Sequence, residues 1–457
     1  MSIQKNQHYI MTIEDLGNNG EGVGKIEGFT LFVEGAIPGD EVEVRVVKAK
    51  KNYGYGKLMQ IIKPSLHRIQ PPCPYVPRCG GCQIQHIDYG EQLNLKRKKV
   101  QSHLERIGGL KGIKVHPTIG MDKPYHYRNK ALFPIGMENG ELQIGFFAPR
   151  SHRIIDMNQC LIQHPITEKA IELVRDFVKK HSISIYDEKE HTGLLRHILI
   201  RTSWHTQEVQ VCFVINGAKI PHVDILIQEL QQIPHLAGVI LSRNTERTNV
   251  ALGETIEVLW GKECITDYIG ELEFRISPLS FFQVNPIQTK VLYDKALEYA
   301  GLTGEEIVWD AYCGIGTISL FLAQKAKKVY GVEIVEAAIE NAKVNAKLNQ
   351  IENVEFFVGK AEEVIPQKLR YEGIKADVIV VDPPRKGCDP VLLDTIVDMA
   401  PKRIVYVSCD SATLARDLKI LMEKGYEVKE VQPVDMFGHT VHVESTILIT
   451  YCGSKEK

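Results

Sequence analysis

The sequence predicts an α/β protein with a parallel sheet of βαβ units in its C-terminal part and a small OB-like β-barrel at its N-terminus. Residues 283–450 alternate short apolar strands with helical segments, which is typical of βαβ units. Within them, the turn Gly314-Ile-Gly316 joins the strand 306–310 to the helix 318–326. Residues 8–62 contain short strands separated by glycines, which favours an OB-like barrel.

Length and composition predict several domains in a soluble protein. A chain of 457 residues exceeds what one core serves, and we expect a barrel at 1–64, a central α/β domain at 65–265 and the parallel-sheet domain at 266–457. Hydrophobic content of 44% and charged content of 25% are typical of a globular protein. No apolar run reaches the ~18 residues of a membrane helix, and residues 1–10 carry no secretory signal. The expected location is therefore cytoplasmic, without a membrane partner.

The predicted barrel carries a basic surface with interleaved aromatic residues. Its strands are expected at 8–14, 22–25, 29–33, 41–48 and 55–61, and residues 41–46 alternate strictly between polar and apolar. The basic positions are Lys48, Lys50, Lys51, Lys57, Lys63 and Arg68, with Tyr53 and Tyr55 among them. A second basic cluster, Lys96-Arg-Lys-Lys99, lies on a helix expected at 90–107. Each cluster is interpreted either as a nucleic-acid contact or as a solvated face.

The central part is expected to contain the helix 168–179 and the strands 198–201 and 209–215. Before them, Cys73, Cys79 and Cys82 form a C-x5-C-x2-C pattern among prolines and glycines. In a chain without a secretory signal, such cysteines are more typical of a metal site than of disulfides. Zinc and iron–sulfur clusters are both commonly bound by four thiolates. The pattern supplies three cysteines, so a fourth ligand must come from elsewhere in the chain. The spacing alone does not identify the metal.

A nucleoside-binding crease is predicted at the glycine turn. The strand 328–333 ends in Glu333, 23 residues after Asp310, the spacing expected of a carboxylate that binds a ribose diol. The turn, Asp310-Ala-Tyr-Cys-Gly-Ile-Gly-Thr317, departs from the GxGxxG of dehydrogenases and looks like the cofactor loop of Rossmann-like methyltransferases. This indicates S-adenosylmethionine, and the alternative is an ordinary turn in which glycines allow tight packing. The third strand ends in Asp382-Pro-Pro-Arg385, which resembles the catalytic loop of nucleobase methyltransferases. In amine-directed versions an aromatic residue stands in place of Arg385.

A candidate nucleophile and a candidate base follow in the same domain. Cys409 ends the apolar strand that begins at Arg403, at the sheet edge where open α/β folds bind ligands. Methylation of carbon 5 of a pyrimidine requires a thiolate that adds to carbon 6, a methyl donor, and a base that removes the carbon 5 proton. Glu444 is expected to be that base, with a pKa raised by burial. Gln283 is a candidate hydrogen-bonding partner of the cofactor or the base. The alternatives are a buried filler thiol and a solvent-facing acid.

These motifs resemble the bacterial RNA uracil-C5 methyltransferases, specifically the 23S ribosomal RNA branch with an N-terminal TRAM domain. The matching segments are Gln283-Val-Asn285, Asp310–Gly316, Asp382–Arg385, Ser408-Cys409, Thr413-Leu-Ala-Arg-Asp417 and His442-Val-Glu444. The resemblance implies Cys409 as nucleophile and Glu444 as base. It also implies Gln283, Tyr312, Glu333 and Asp382 as cofactor-site residues, with Asp382 facing the uracil.

Two departures from the family pattern stand out. Asp410-Ser411 replaces Asn-Pro after the nucleophile, and Gly438 replaces the proline of Met-Phe-Pro-His-Thr. A carboxylate at Asp410 would raise the pKa of the Cys409 thiol unless its side chain points away.

The resemblance further implies a structural 4Fe-4S cluster held by Cys73, Cys79, Cys82 and the distant Cys160. It assigns RNA contacts to the segments 125–130 and 194–198, which mix aromatic with basic residues. The expected protein is a monomer that methylates 23S ribosomal RNA. The alternatives are a transfer RNA T-loop enzyme and a catalytically silent RNA-binding factor. Transfer RNA enzymes of this type usually lack both the barrel and the cysteine cluster, which favours the ribosomal substrate.

Overall fold

The computed structural model describes residues 3–76 and 78–453. Its strands are β1 (His8–Leu16), β2 (Gly22–Ile26), β3 (Phe29–Val33), β4 (Glu41–Ala49), β5 (Tyr53–Lys63), β6 (Lys114–Val115), β7 (Lys130–Glu138), β8 (Glu141–Phe147), β9 (Ile154–Asp156), β10 (Leu195–Thr202), β11 (Val209–Ile215), β12 (Leu236–Arg243), β13 (Ile256–Gly261), β14 (Ile265–Ile269), β15 (Leu272–Ile276), β16 (Ile307–Asp310), β17 (Lys328–Glu333), β18 (Val354–Val358), β19 (Val378–Val381), β20 (Arg403–Ser408), β21 (Tyr426–Val434) and β22 (Glu444–Tyr451). Its helices are α1 (Tyr89–Arg106), α2 (Ile166–Lys180), α3 (Val223–Leu230), α4 (Pro286–Ala300), α5 (Thr317–Ala323), α6 (Glu336–Leu348), α7 (Ala361–Glu372), α8 (Pro390–Met399) and α9 (Ser411–Glu423). No helix within these residues is long and apolar enough to cross a membrane.

The N-terminal strands close into a barrel in the order β1-β2-β3-β5-β4. The alternation predicted for residues 41–46 is observed, because Val42, Val44 and Val46 are fully buried inside the barrel. All the predicted strands are present, and β5 is longer than expected at both ends. On the outside, Phe32, Tyr53 and Tyr55 form a cluster of aromatic rings with centroids 5.8–5.9 Å apart.

The central sheet has the order β13-β12-β11-β10-β7-β8-β9. Helices α2 and α3 cover one face, and their apolar residues share a core with Phe133, Ile198 and Phe213 of the strands. The predicted helix 168–179 lies within α2, and the predicted strands lie within β10 and at β11. This sheet meets the C-terminal part at the end of β10, where the buried Arg201 guanidinium donates to the carbonyl oxygen of Ser280.

The C-terminal sheet has the order β18-β17-β16-β19-β20-β22-β21-β6. Strands β16 to β20 run parallel, and β22 runs antiparallel to β20. Chain order reverses at β16, which has β17 on one side and β19 on the other. Such a switch point opens a crevice at the carboxyl ends of the strands, and open α/β sheets bind ligands there. The α/β fold predicted for this part is therefore confirmed.

One segment connects differently from the predicted division. Strand β6, which the prediction assigned to the central domain, pairs with β21 of the C-terminal sheet. Helix α1 buries Val100 and Leu104 in the same core as Leu414 and Leu418 of α9. The apolar face of α1 finds its partner on the C-terminal sheet, so the segment after the cysteine pattern supports that sheet. The domain boundaries themselves remain a prediction.

Candidate active site

Cys409 and Glu444 lie opposite each other at the carboxyl edge of the C-terminal sheet. Ser408 at the end of β20 pairs with Ser445 of β22, so the next register position sets Cys409 against Glu444. The two side chains are near enough for the charge of Glu444 to raise the pKa of the Cys409 thiol. Glu444 is 4% exposed, whereas Cys409 is partly accessible. The sheet register thus brings the predicted nucleophile and the predicted base together.

Asp382 joins this pair from the neighbouring strand. It follows β19 directly, and Val381 of that strand pairs with Tyr406 of β20. Burial raises the pKa of the Asp382 carboxyl, and the nearby Asp310 raises it further. Burial likewise raises the pKa of Glu444, with Asp382 adding to the shift and Arg385 opposing it. The raised pKa predicted for Glu444 therefore has burial as its main cause and a second carboxylate as its next cause.

The Cys409 thiol lies in an electrostatic field dominated by these carboxylates. Burial raises its pKa to about 12, with Glu444 and Asp382 adding to the shift and Arg385 lowering it. As long as both carboxylates are ionised, their charge favours the protonated thiol. A proton on either carboxylate, or a cation nearby, favours the thiolate. Arg385 supplies such a positive field, a role that the sequence interpretation missed because it considered only the aromatic residue that Arg385 replaces.

The two departures from the family pattern have structural explanations. The Asp410 side chain turns into the N-terminus of α9, where it accepts hydrogen bonds from the backbone N–H groups of Ala412 and Thr413 at 2.9 and 3.0 Å. It acts as a helix cap, and it is not among the main causes of the raised Cys409 pKa. At Gly438, a Cβ atom would lie 2.9 Å from Met121 and 3.2 Å from Pro124. A larger residue there would require these neighbours to move.

The glycine turn and Glu333 form the predicted crease at the switch point. Gly314 and Gly316 have φ angles of 53° and 84°, which favour glycine. The Gly314 N–H donates to the Glu333 carboxylate at 3.3 Å, and a Cβ at Gly314 would meet no described atom within 4 Å. The turn is therefore open, with the acid of β17 beside it, and this arrangement fits a nucleoside ligand.

Asp310 and Tyr312 belong to the strand end and turn that form the crease, whereas no contact of Gln283 with the crease is observed in the part of the chain that the structure describes. Asp310 is fully buried; its Oδ2 accepts a hydrogen bond from Ser319 at 2.6 Å, and its Oδ1 has no partner among the described residues. Tyr312 is half-buried, and burial raises the pKa of its hydroxyl. Gln283 is 8% exposed and lies at the junction with the central sheet, since its carbonyl accepts from Asn129 at 3.0 Å. The unpartnered Asp310 oxygen was not singled out as a site feature, because its burial depends on the tertiary fold.

A second site is the sulfur cavity, defined by Cys73, Cys79, Cys82 and Cys160. All four cysteines line one cavity of about 200 Å³, with Arg128 and Phe146 also on its wall. Burial raises the pKa of the Cys82 thiol, and the other three sulfurs raise it further. Across the described ranges, no group of three or more His, Cys, Asp or Glu is arranged to hold a metal ion. The structure therefore brings the predicted ligands to one cavity without forming a chelate for a single ion.

The predicted RNA segments are used largely for internal contacts. Tyr127 is buried and its hydroxyl donates to the Gly438 carbonyl at 3.1 Å, while the Tyr125 ring stacks on His439. The Arg196 guanidinium donates to the carbonyls of Asn244 and Glu246. Sequence patterns of aromatic and basic residues cannot distinguish these internal roles from exposed contacts.

The cluster Lys96–Lys99 was interpreted as a nucleic-acid contact or a solvated face, and the structure divides it between buried and exposed positions. Lys96 is buried and pairs with Asp435, Arg97 donates to the Val115 carbonyl, and Lys99 donates to the Val441 carbonyl. Arg97 and Lys98 are exposed, whereas Lys99 is partly buried. By contrast, the lysines of the barrel cluster are exposed, whereas its Arg68 pairs with the buried Asp40.

Known proteins share this architecture. A family model described as tRNA (Uracil-5-)-methyltransferase matches residues 265–452, and a TRAM domain model matches residues 4–59. The chain is 55% identical to an uncharacterized RNA methyltransferase of Clostridium tetani over 100% of this chain and 99% of that protein. It is 52% identical to an uncharacterized RNA methyltransferase of Halalkalibacterium halodurans over 98% of each.

A solved structure extends the likeness to three dimensions. The Pyrococcus abyssi tRNA (uracil-54, C5)-methyltransferase in complex with S-adenosyl-L-homocysteine has a TM-score of 0.76 and 30% identity, covering 97% of this chain and 100% of that one. Because the match extends over 97% of this chain, it reaches into the barrel, so the barrel alone is weak evidence for a ribosomal over a transfer RNA substrate. The chain belongs to the RNA uracil-5-methyltransferase family and carries an N-terminal TRAM domain.

Proposed function

We propose that this enzyme methylates carbon 5 of a uridine in 23S ribosomal RNA, with S-adenosylmethionine as the methyl donor. The observation that carries the proposal is the register of β20 and β22, which sets Cys409 against the buried Glu444. The crease at Gly314 and Glu333 opens at the same edge of the sheet. A thiol, a carboxylate with a raised pKa and a nucleoside crease are the groups that this chemistry requires.

The residues divide the reaction between them. The Cys409 thiolate adds to carbon 6 of the uracil, and the electron pair displaced from the 5,6 double bond makes carbon 5 nucleophilic. S-adenosylmethionine, when bound, supplies the methyl group that carbon 5 takes. Glu444 then accepts the proton of carbon 5, the double bond re-forms, and the thiolate leaves. The uridine must be turned out of its RNA to reach this edge of the sheet.

The electrostatics of the site favour proton exchange between the three acidic groups. Glu444 and Asp382 both raise the pKa of Cys409, and Arg385 lowers it. A proton that passes from the thiol to a neighbouring carboxylate removes one of the charges that opposed thiolate formation. Glu444 must be free of its proton again before it can act as the base, and its raised pKa makes it a stronger acceptor than an exposed glutamate.

We propose the sulfur cavity as the site of a structural 4Fe-4S cluster. Four cysteine sulfurs match the usual ligand number of such a cluster. The cavity of about 200 Å³ has several times the ~30 Å³ that one water occupies in the liquid, and therefore suits a group larger than an ion. Cys73, Cys79, Cys82 and Cys160 would hold it. Uracil methylation needs no electron transfer, so the cluster would join the segment 73–82 to the central sheet.

Two RNA classes are candidates. The motif resemblance favours 23S ribosomal RNA, whereas the full-length likeness to a P. abyssi tRNA enzyme favours a transfer RNA uridine as the second candidate. The barrel surface formed by Phe32, Tyr53 and Tyr55 with the exposed lysines suits either, since stacking and phosphate contacts are tolerant of sequence. Comparing both RNAs as substrates distinguishes the candidates.

A 5-fluorouridine trap tests the proposal. Fluorine at carbon 5 cannot be removed by the base, so an active enzyme with cofactor should form a stable covalent RNA adduct. Cys409→Ala should form none and should still bind the RNA. If the wild-type protein gives no adduct with ribosomal or transfer RNA, the chain is better described as a silent RNA-binding factor.

A further inference from the structure

The loop that leads to Glu444 is held by residues from the N-terminal side of the chain. This β21–β22 loop, residues 435–443, begins at the fully buried Asp435 and ends at the proposed base. Its first anchor is Lys96 of α1, which is 2% exposed and donates to Asp435 Oδ1 at 2.5 Å. The same ammonium donates to the Phe437 carbonyl at 3.0 Å, and the Tyr89 hydroxyl donates to Asp435 Oδ2 at 2.7 Å.

Further anchors follow along the loop. Gln92 of α1 bonds to His439 twice, with its Oε1 accepting from the His439 N–H at 3.1 Å and its Nε2 lying 3.2 Å from the ring nitrogen Nδ1. The Lys99 ammonium donates to the Val441 carbonyl at 3.1 Å. The N–H groups of Gln83 and Ile84, directly after Cys82, both donate to the His439 carbonyl at 3.1 Å. One face of α1 and the end of the cysteine segment therefore fix the loop at several successive points.

A buried ion pair is an unusual means of fixing a loop. Taking an ammonium and a carboxylate out of water costs free energy that their attraction only partly restores, and apolar residues of the same size are often as stable. A buried pair does, however, impose direction, since its hydrogen bonds admit few arrangements. Lys96 and Asp435 have no access to RNA or solvent. Their contribution is therefore to the geometry of the loop.

We propose that Lys96 and Asp435 are positioning residues for Glu444, holding the β21–β22 loop so that the carboxylate meets the proton of carbon 5. The proposal rests on the proposed function, since it assigns the pair to the proton-abstraction step. Formation of the covalent RNA adduct depends on Cys409 and precedes that step. Loss of the pair should therefore slow release of the product far more than it slows adduct formation.

The test separates the two steps in Lys96→Met, which keeps the length of the side chain without its charge. With 5-fluorouridine RNA, we expect a rate of adduct formation within about twofold of wild type. With ordinary uridine RNA, we expect release of 5-methyluridine to fall by about tenfold to a hundredfold, since a displacement near 1 Å has effects of that size. A covalent RNA–protein species should accumulate. Lys98→Met, at the exposed neighbouring position, is the matched control and should behave as wild type.

Two further variants keep the test decisive. Lys96→Gln combined with Asp435→Asn keeps a hydrogen bond without charges and should recover part of the release rate. If Lys96→Met does not fold, Gln92→Leu, which loosens the loop only at His439, should show the same division between the two steps. Equal loss of both rates, or no loss of either, would overturn the proposal. Failure of the proposed function is distinguishable, because the wild-type protein would then form no adduct.

Discussion

Replacing the fully buried Asp310 by asparagine should stabilise the protein in a pH-dependent manner. Burial raises the pKa of this carboxyl from 3.8 to about 6, against the hydrogen bond from Ser319, which lowers it. Because the folded state then binds the proton more tightly than the unfolded state, stability falls as pH rises from about 4 to above 6. The shift amounts to a cost of about 3 kcal/mol at pH 8 and about half of that at pH 5.

The assay is thermal unfolding of the ligand-free protein at both pH values. Asp310→Asn does not titrate, so its advantage over wild type should be about 1.4 kcal/mol larger at pH 8 than at pH 5. For a domain of this size, that corresponds to a difference in Tm gain of about 3–6 °C. Comparing two proteins at each pH cancels the titration of groups that do not interact with Asp310. Asp382 does interact with it, and loss of the Asp310 charge relieves the raised pKa of Asp382, which acts in the same direction as the predicted difference. Ser319→Ala removes the bond that lowers the Asp310 pKa, and should make stability more pH-dependent than in wild type. An advantage of Asp310→Asn that is equal at both pH values, or smaller at pH 8, would refute the reasoning.

Other perturbations have expected outcomes of different kinds. Gly316→Ala places a Cβ 3.1 Å from Ala342 at a residue with positive φ, and should lower the free energy of unfolding by about 1–2 kcal/mol or more in denaturant titrations. Gly314→Ala should cost less, because a Cβ there has open space. Lys50→Ala should weaken RNA binding in filter-binding titrations, and the slope of log affinity against log salt concentration should fall by up to one unit. An unchanged slope would mean that this barrel lysine does not contact the RNA. The double substitution Cys79→Ser with Cys82→Ser should remove the bound iron and sulfide, measured by elemental analysis, and should lower the thermal stability of the protein. A wild-type protein that is free of iron and yet fully stable and active would exclude the structural cluster.

The parallel strands and the barrel strands could be predicted because their patterns are local. The alternation in β4 requires a half-buried strand, and the apolar run before Cys409 requires a buried one. Placing Cys409 opposite Glu444 required more, since the antiparallel return of β22 is a property of the whole sheet. The chemistry of a thiol with a methyl-donor loop predicted that a base must exist, and only the structure shows that Glu444 is a neighbour of the thiol.

Roles that depend on tertiary placement could not be predicted. Lys96 belongs to a run of basic residues that looks the same whether it contacts RNA, solvent or a buried acid, and its partner Asp435 is 339 residues away. Asp410 presents a charge beside the nucleophile in sequence, yet the start of α9 directs that charge to backbone N–H groups. The cysteines illustrate the converse, since four sulfurs separated by up to 87 positions line one cavity as the resemblance implied.

The most direct test of the account is nucleoside mass spectrometry of unmodified 23S ribosomal RNA incubated with cofactor and purified protein. Wild type should produce 5-methyluridine, and Cys409→Ala should produce none. Glu444→Gln should retain the RNA as a covalent adduct that already carries the methyl group, with little free product, because the carbon 5 proton remains. Formation of 5-methyluridine by Cys409→Ala, or a methyl group at any position other than uridine carbon 5, would contradict the account.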